Sequence, residues 1–324
     1  MDVAVKWGIM STARINRLFL AGAGQASNVE LAAVASRERA SAERYASEHQ
    51  IARAHGSYEA LLADPEIEAV YISLPNSLHI EWTEQALRAG KHVLCEKPLS
   101  RHADEVARAF DLAEQHQRLL MEAFMYRHNP QTHRLRELID RGSIGRVRMI
   151  RAAFSFLADD PGDVRLTAAL DGGALMDVGC YCVSGARLLG GEPERVSAEQ
   201  ALGGDGVDVA FTGTLRFPGD VLAHFDAGLA LAARDELEVI GEEGVLFLDD
   251  PWHCRTPVIE LRRDGEIERI ELEPTDSYTL EAENLSAAIR GQAEPLLGRS
   301  DALGQARTIE ALYEAADTGR VVSL

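Results

Sequence analysis

The stretch AVYISLPNSLHIEWTEQALRAGKHVLC, residues 69–95, carries the alternation on which the fold turns. Ala69–Leu74 is an apolar run of strand length. Leu78–Ala89 places its apolar residues at helical spacing and stops at Gly90, and His92–Cys95 is a second short apolar run. Two buried strands joined by one helix form a βαβ unit, whose strands lie parallel and are covered on both faces. The same rhythm continues on either side. Val3–Met10 and Val29–Ala35 read as strands, with Ile15, Leu18 and Phe19 at helical spacing between them. Ser36–His49 and Arg101–Gln115 read as helices and Leu119–Ala123 as a strand. The first third is therefore expected to be a helix-covered parallel sheet.

After about residue 123 the rhythm changes. Arg146–Phe156 is strand-like, and Val207–Phe217 alternates: Val207, Val209, Phe211, Leu215 and Phe217 on one face, Asp208, Thr212, Thr214 and Arg216 on the other. Val221–Ala227, Leu237–Ile240, Val245–Leu248, Val258–Arg262 and Arg269–Leu272 follow, separated by Gly, Pro or Asp. This pattern fits a largely antiparallel sheet with one solvated or partner-facing side. Helical periodicity returns over about 279–318. The expected architecture is an α/β domain over 1–123, then an α+β domain over 124–324 with a large, mostly antiparallel open sheet.

Composition narrows the function. The 324 residues include 33 Lys+Arg and 52 Asp+Glu, a formal charge of −19. Such acidity disfavours nucleic acid and anionic membrane surfaces as partners. No apolar run approaches the ~18 residues that cross a bilayer. Met1–Trp7 lacks the basic-then-apolar order of a secretory signal. Cys95, Cys180, Cys182 and Cys254 form neither CxxC nor a zinc pattern, so a reducing, cytoplasmic setting is expected. Cys180 and Cys182 read as small packing residues, and Trp252-His253 as a turn. The charge is also uneven. Residues 1–60 hold seven basic and six acidic residues, whereas 235–283 hold 16 acidic and four basic ones. The excess acid is thus expected in the sheet domain, remote from the first turn.

That first turn, Gly8-Ile9-Met10-Ser11-Thr12-Ala13-Arg14-Ile15-Asn16, stands where a βαβ unit would receive a pyrophosphate. The G-x-G-x-x-G positions fall on Ser11, Ala13 and Asn16, none of them glycine. Ser11 and Ala13 are still small, and Ser11 or Thr12 could offer a hydroxyl. At the end of the second strand, an acid would accept bonds from an adenosine ribose. Ser36-Arg37 stand there instead, and Arg37 could clamp a 2′-phosphate. A bound dinucleotide would thus be NADP(H) rather than NAD(H), although two solvated arginines opening a helix would look the same.

Three further stretches occur in order: Leu74-Pro75-Asn76-Ser77-Leu78-His79, Cys95-Glu96-Lys97-Pro98-Leu99 and Asp177-Val178-Gly179-Cys180-Tyr181. Together they resemble the glucose–fructose oxidoreductase / inositol dehydrogenase / MocA family across essentially the whole chain. The E-K-P stretch after the fourth apolar strand is the most specific mark. The resemblance implies an N-terminal Rossmann domain binding NADP (NAD possible), a C-terminal α+β domain whose last helices, about 279–318, pack back toward the first domain, and a cis Lys97–Pro98 bond. It is strongest to the subset that includes NADP-dependent D-xylose 1-dehydrogenase and dimeric dihydrodiol dehydrogenase, which carries Tyr where other members have His.

For site residues, the resemblance implies Lys97, Tyr181 and Asp177 as the catalytic group. Ser11, Thr12, Ala13, Arg14, Ile15, Ser36, Arg37, Leu74, Asn76, His79, Glu96 and Lys97 would line the cofactor. Arg127 and His128 would join Lys97, Asp177 and Tyr181 around the substrate, with Arg165 a weaker candidate and no metal required. A free Tyr titrates near pH ~10, so Lys97 is the natural cation to favour its phenolate. The implied activity is oxidation of an aldose such as D-xylose or D-glucose at C1 to the lactone. Alternatives are a trans-dihydrodiol or keto-sugar reductase, a sugar–sugar oxidoreductase that never releases its cofactor, and a silent dinucleotide sensor. A homodimer or homotetramer through the C-terminal sheet is also implied.

Overall fold

The computed structural model describes residues 4–160 and 162–324; Val3, expected to begin the first strand, lies outside them. The chain divides into two compact units, one of residues up to Ser100, Asp104–Met125 and Asp276–Leu303, the other of Arg101–Ala103, Tyr126–Thr275 and Gly304–Leu324.

The first unit contains strands β1 (Val5–Met10), β2 (Val29–Ala35), β3 (Arg53–His55), β4 (Ala69–Ile72), β5 (His92–Glu96) and β6 (Leu120–Ala123). They form one parallel sheet in the order β3-β2-β1-β4-β5-β6. Its helices are α1 (Asn16–Ala23), α2 (Arg39–Glu48), α3 (Tyr58–Leu62), α4 (His79–Arg88), α5 (Ala103–Gln115) and α8 (Ser277–Ile289), the last packing against α1. Apolar strand residues are almost wholly buried, as a sheet covered on both faces requires. Trp7 shows how α8 is held. Its ring is fully buried and its Nε1–H donates to Ser286 Oγ at 3.1 Å.

The sequence reading misses β3 and α3. Arg53-Ala54-His55 is a half-buried strand of three residues, too short to show an apolar run. The E-K-P stretch therefore follows the fifth strand of the chain, not the fourth.

The second unit contains α6 (Pro130–Asp140), α7 (Cys180–Gly190), most of α9 (Arg299–Thr318) and a nine-stranded sheet. Its strands are β7 (Val147–Leu157), β8 (Arg195–Leu202), β9 (Asp208–Phe217), β10 (Val221–Gly228), β11 (Ala230–Gly241), β12 (Val245–Leu248), β13 (Val258–Arg263), β14 (Glu266–Glu271) and β15 (Val322–Ser323). The order is β14-β13-β12-β11-β7-β10-β9-β8-β15, with only the β7–β10 pair parallel. This is the open, mostly antiparallel sheet expected.

Two details differ. β14 runs over Glu266–Glu271, earlier than the Arg269–Leu272 pattern suggests, because its side chains are nearly all exposed. Asp208, assigned to the solvated face of β9, is buried. Ala201 of β8 pairs with Ala210 and Leu202 with Asp208, so Val209 is an extra residue on β9 and the alternation breaks there.

Gly213 on β9 lies against the Phe225 ring; a Cβ there would stand 2.8 Å from Phe225 Cζ and 3.0 Å from Leu312 Cδ2. Gly213→Ala is therefore expected to overpack this layer and cost about 1–3 kcal/mol. Calorimetry should show a lowered melting temperature; an unchanged one would mean that the layer has room.

Candidate functional site

In the first unit β1 lies between β2 and β4, so the connections leaving β1 and β4 diverge and open a crevice at the carboxyl ends of the strands. Ser11 follows β1 and Ser73 follows β4. The two hydroxyls are 2.8 Å apart, and Ser11 Oγ also reaches Ser73 O at 3.2 Å and accepts the Ala13 N–H at 3.1 Å. Ser11 has φ +129°, a conformation that normally belongs to glycine and costs another residue about 1–3 kcal/mol. The degraded fingerprint thus keeps a glycine-type backbone at its first position, held by the serine pair. Asn16, at the third position, is buried and donates from Nδ2 to Ser11 O at 2.9 Å. Ser73 escaped the sequence reading, because nothing local marks it as a partner of Ser11.

This turn fits an anionic dinucleotide. The first turn of α1 holds no acidic residue, so its positive end is uncompensated. Thr12, Ala13, Ile15 and Ser36 are half-buried, while Arg14 and Arg37 are exposed. Arg37 stands just past β2, where it could meet a 2′-phosphate.

The exit of β5 is firmly held. Lys97–Pro98 is cis, as expected. Glu96 accepts the Lys97 N–H at 3.3 Å through Oε2 and the Tyr71 hydroxyl through Oε1. Glu122 accepts the Leu99 N–H at 2.7 Å. Asn76 is half-buried in a short 3-10 turn, Asn76–Leu78, just before α4, and Leu74 is buried. His79, expected along the cofactor, also supports the backbone here. It is 0% exposed, and its ring nitrogens each lie 2.8 Å from a backbone carbonyl, Pro98 O and Leu74 O. His79 therefore braces the Asn76 and Lys97 segments from behind.

Glu281, on α8, also went unrecognised. It is fully buried and neither carboxyl oxygen has a hydrogen-bond partner among the described residues. Burial, reinforced by the charge of Glu96, pushes its carboxyl well above the usual range.

In the second unit, Asp177 lies in a π-helical turn, Leu175–Gly179, that leads directly into α7, where Tyr181 stands in the first turn. The expected i, i+4 pair is therefore wound partly in π geometry, a local form that recurs at functional sites. Asp177 lies 3.5 Å from Arg165 Nη1, and Arg165 also bonds Asp163 and stacks over Phe156. Arg165 thus offsets the charge of Asp177. Tyr181 is 7% exposed, among Phe154, Tyr126 and Trp252, with ring centroids at 5.4, 5.8 and 6.1 Å. Trp252 sits in a turn, as read, but its ring is fully buried and its Nε1–H donates to Ala153 O at 3.0 Å.

Arg127 is half-buried, with Nη1 3.4 Å from Ser184 Oγ. His128 is buried; burial, then the nearby His133 and Arg127, push its pKa down to about 3 and keep the ring neutral. Its Nε2 has no hydrogen-bond partner among the described residues.

All four cysteines are free and buried, and no described helix is long and apolar enough to cross a membrane. Asp235, Asp250 and His253 bring donor atoms within 4.8 Å of one another, a grouping able to hold a metal ion. The Arg255 guanidinium already stands 3.2 Å from Asp250 Oδ1 and 3.8 Å from Asp235 Oδ2, supplying a cation of its own.

Comparison with known proteins agrees with both halves. The model of an oxidoreductase family with an NAD-binding Rossmann fold matches residues 5–124, and that of the GFO/IDH/MocA C-terminal domain matches 132–247. A D-xylose 1-dehydrogenase (NADP(+)) of Haloferax volcanii is 42% identical, covering 98% of this chain and 99% of its own. A 3-ketoreductase of Actinomadura kijaniata, solved with NADP and TDP-benzene, superposes with TM-score 0.91 at 31% identity, covering 96% and 98% of the two chains. An aldose–aldose oxidoreductase of Caulobacter crescentus, solved with glycerol, gives 0.92 at 28% identity, covering 99% and 100%. Variants of the ketoreductase have been solved with a lysine or a tyrosine replaced, and those two residues are as far apart in sequence as Lys97 and Tyr181.

Glu281 provides a test of the buried carboxyl. Its raised folded-state pKa means that its stabilising contribution is complete below the unfolded value of ~4.3 and is lost as pH rises through the folded value. Glu281→Gln should therefore melt higher than the parent, by a margin that widens from pH ~5 to pH ~8. A margin independent of pH would show that Glu281 is not protonated in the folded protein.

Proposed function

Because the chain belongs to the glucose–fructose oxidoreductase / inositol dehydrogenase / MocA family of NAD(P)-dependent oxidoreductases, we propose that it is an NADP(H)-dependent dehydrogenase of sugars, oxidising an aldose such as D-xylose or D-glucose at C1 to the lactone. The observation that carries the reading is the Lys97–Tyr181 pair, spaced like the lysine and tyrosine replaced in the ketoreductase variants. The 42% identity to a D-xylose 1-dehydrogenase favours the aldose.

In this reading Ser11, Thr12, Ala13, Arg14 and Ile15 hold the pyrophosphate, and Ser36 and Arg37 the adenosine end. Leu74, Asn76, Glu96 and Lys97 lie toward the nicotinamide, which supplies the two-electron acceptor. Tyr181 takes the proton of the reacting hydroxyl, and Lys97 stabilises the oxygen as negative charge develops there. Asp177, its charge offset by Arg165, orients the sugar. Arg127 and the neutral His128 Nε2 are placed to bond further hydroxyls. Acting in the reductive direction on a ketone carbon instead, the same groups would reduce a keto-sugar, Tyr181 giving its proton to the oxygen as hydride reaches the carbon, and the ketoreductase likeness keeps this as the second reading. A homo-oligomer through the second-unit sheet is part of the proposal. Leu157, 65% exposed, pairs with Ala230 on β11, and Leu231 beside it is also exposed.

NADP⁺ reduction across a panel of aldoses, polyols and diols, repeated with NAD⁺, tests the reading directly; no turnover of any aldose would remove it. Lys97→Ala and Tyr181→Phe should each lower kcat by about 10²–10⁴-fold while NADP⁺ still binds. Near-normal turnover in either would remove that residue from the chemistry. Arg37→Asp should raise the KM for NADP⁺ far more than that for NAD⁺, and equal losses would refute a 2′-phosphate contact.

A further inference from the structure

We infer that Asp208 is a positioning residue that sets the start of the helix carrying Asp177 and Tyr181, and so links their placement to pH. The inference rests on the proposed roles of those two residues. Asp208 is the point where the alternation of β9 fails: a carboxylate expected at the surface is 2% exposed. Its Oδ2 accepts the Leu175 N–H at 2.7 Å, at the first residue of the π-helical turn. Its Oδ1 accepts the Tyr313 hydroxyl at 3.0 Å.

The backbone is shaped around this carboxylate. Gly173, with φ +126°, lies so close that a Cβ would collide with Asp208 Oδ1, so only glycine fits. The Gly173 carbonyl in turn accepts the Asp177 N–H at 2.9 Å. One side chain from β9 therefore fixes the segment two residues before Asp177.

Three charged or titratable groups face this arrangement. Tyr313 is bonded to Asp208. Arg101 stacks over the Tyr313 ring with Cζ 4.1 Å from its centroid, and Asp171 pairs with Arg101 at 3.2 Å. Burial pushes the Asp208 carboxyl up to about 6, against the bonds from Leu175 and Tyr313 and the charge of Arg101.

Function and stability then respond to pH in opposite directions. Above pH ~6 the ionised carboxylate makes a charge-assisted bond at the positive end of a helix, the stronger form of this cap. Below it, protonation weakens the bond to Leu175 and the start of the helix relaxes, so turnover should fall. Stability runs the other way. A raised folded pKa means that the stabilising contribution is complete below about 3.8 and is lost as pH rises through about 6. The chain keeps a buried charge at neutral pH at the expense of stability, and a purely structural role would not require that.

The test measures kcat against pH for the parent, Asp208→Asn and Asp208→Ala, together with substrate-free amide exchange over residues 173–181. The asparagine keeps an acceptor for Leu175 and lacks the charge. It should lose the acid limb near pH 6, turn over no faster than the protonated parent, and melt at least as high at pH ~8. The alanine should lose about tenfold or more in kcat with the KM for NADP⁺ unchanged, and its amides from Leu175 to Tyr181 should exchange faster. Parent-like exchange in the alanine variant, or an unmoved acid limb in the asparagine variant, would overturn the inference. If the parent oxidises no substrate on the panel, the proposed function fails, while the exchange data still decide the role of Asp208 in the helix start.

Discussion

The arrangement of the first unit depends on a fully buried imidazole. A parallel sheet brings the carboxyl ends of its strands to one side, but it leaves open how the segments beyond them run. His79 settles this for two of them, with one ring nitrogen 2.8 Å from Leu74 O, after β4, and the other 2.8 Å from Pro98 O, after β5. Glu96 and Glu122 fix the same segment through the Lys97 and Leu99 amides. The ammonium of Lys97 is thus carried on a backbone held by three buried or half-buried polar side chains, none of which needs to touch a substrate. Such support is what converts a lysine in a loop into a placed group.

Much of this was legible in the residues and much was not, for physical reasons that can be separated. Strands buried on both faces leave continuous apolar runs, so β1, β2, β4, β5 and β6 could be read directly. The half-buried β3 and the polar β8 leave no such trace. Ser11 and Arg37 stand out by residue type and place in the first βαβ unit, and Lys97, Asp177 and Tyr181 through the family resemblance that their motifs carry. Their partners do not. Ser73 matters because it follows the strand beside β1, and Glu281 because α8, far along the chain, packs against α1 within the first unit. Asp208 lies inward because β9 carries one extra residue: Ala201 pairs with Ala210 and Leu202 with Asp208, which leaves Val209 unopposed. Residue types along a strand do not show where such an extra residue falls.

The charge distribution also needs refining. The acidic window over 235–283 reads as belonging wholly to the sheet domain, yet its last members lie on α8, in the first unit. Their effect there is muted. Asp276 spends its carboxylate capping α8 through the Thr279 N–H at 2.9 Å, and burial favours the neutral form of Glu281. What remains is concentrated on β11 to β14, where Glu260 is shared by Arg262 and Arg269 at 2.8 and 2.9 Å.

The nine-stranded sheet has two outermost strands, and each guards differently against adding a strand from another molecule. β14 reads Glu-Ile-Glu-Arg-Ile-Glu, an edge studded with charge that repels a second copy of itself. β8 would be the other edge, eight residues long with several exposed. Among the described residues, Val322 and Ser323 pair with its first two residues, Val196 and Arg195, and the Leu324 N–H donates to Glu194 O just before them. Those last residues act as a short stopper on an otherwise open hydrogen-bonding ladder. Deleting them, or straining them with an appended tag, would invite strand addition and aggregation even though the sites on both units lose no residue.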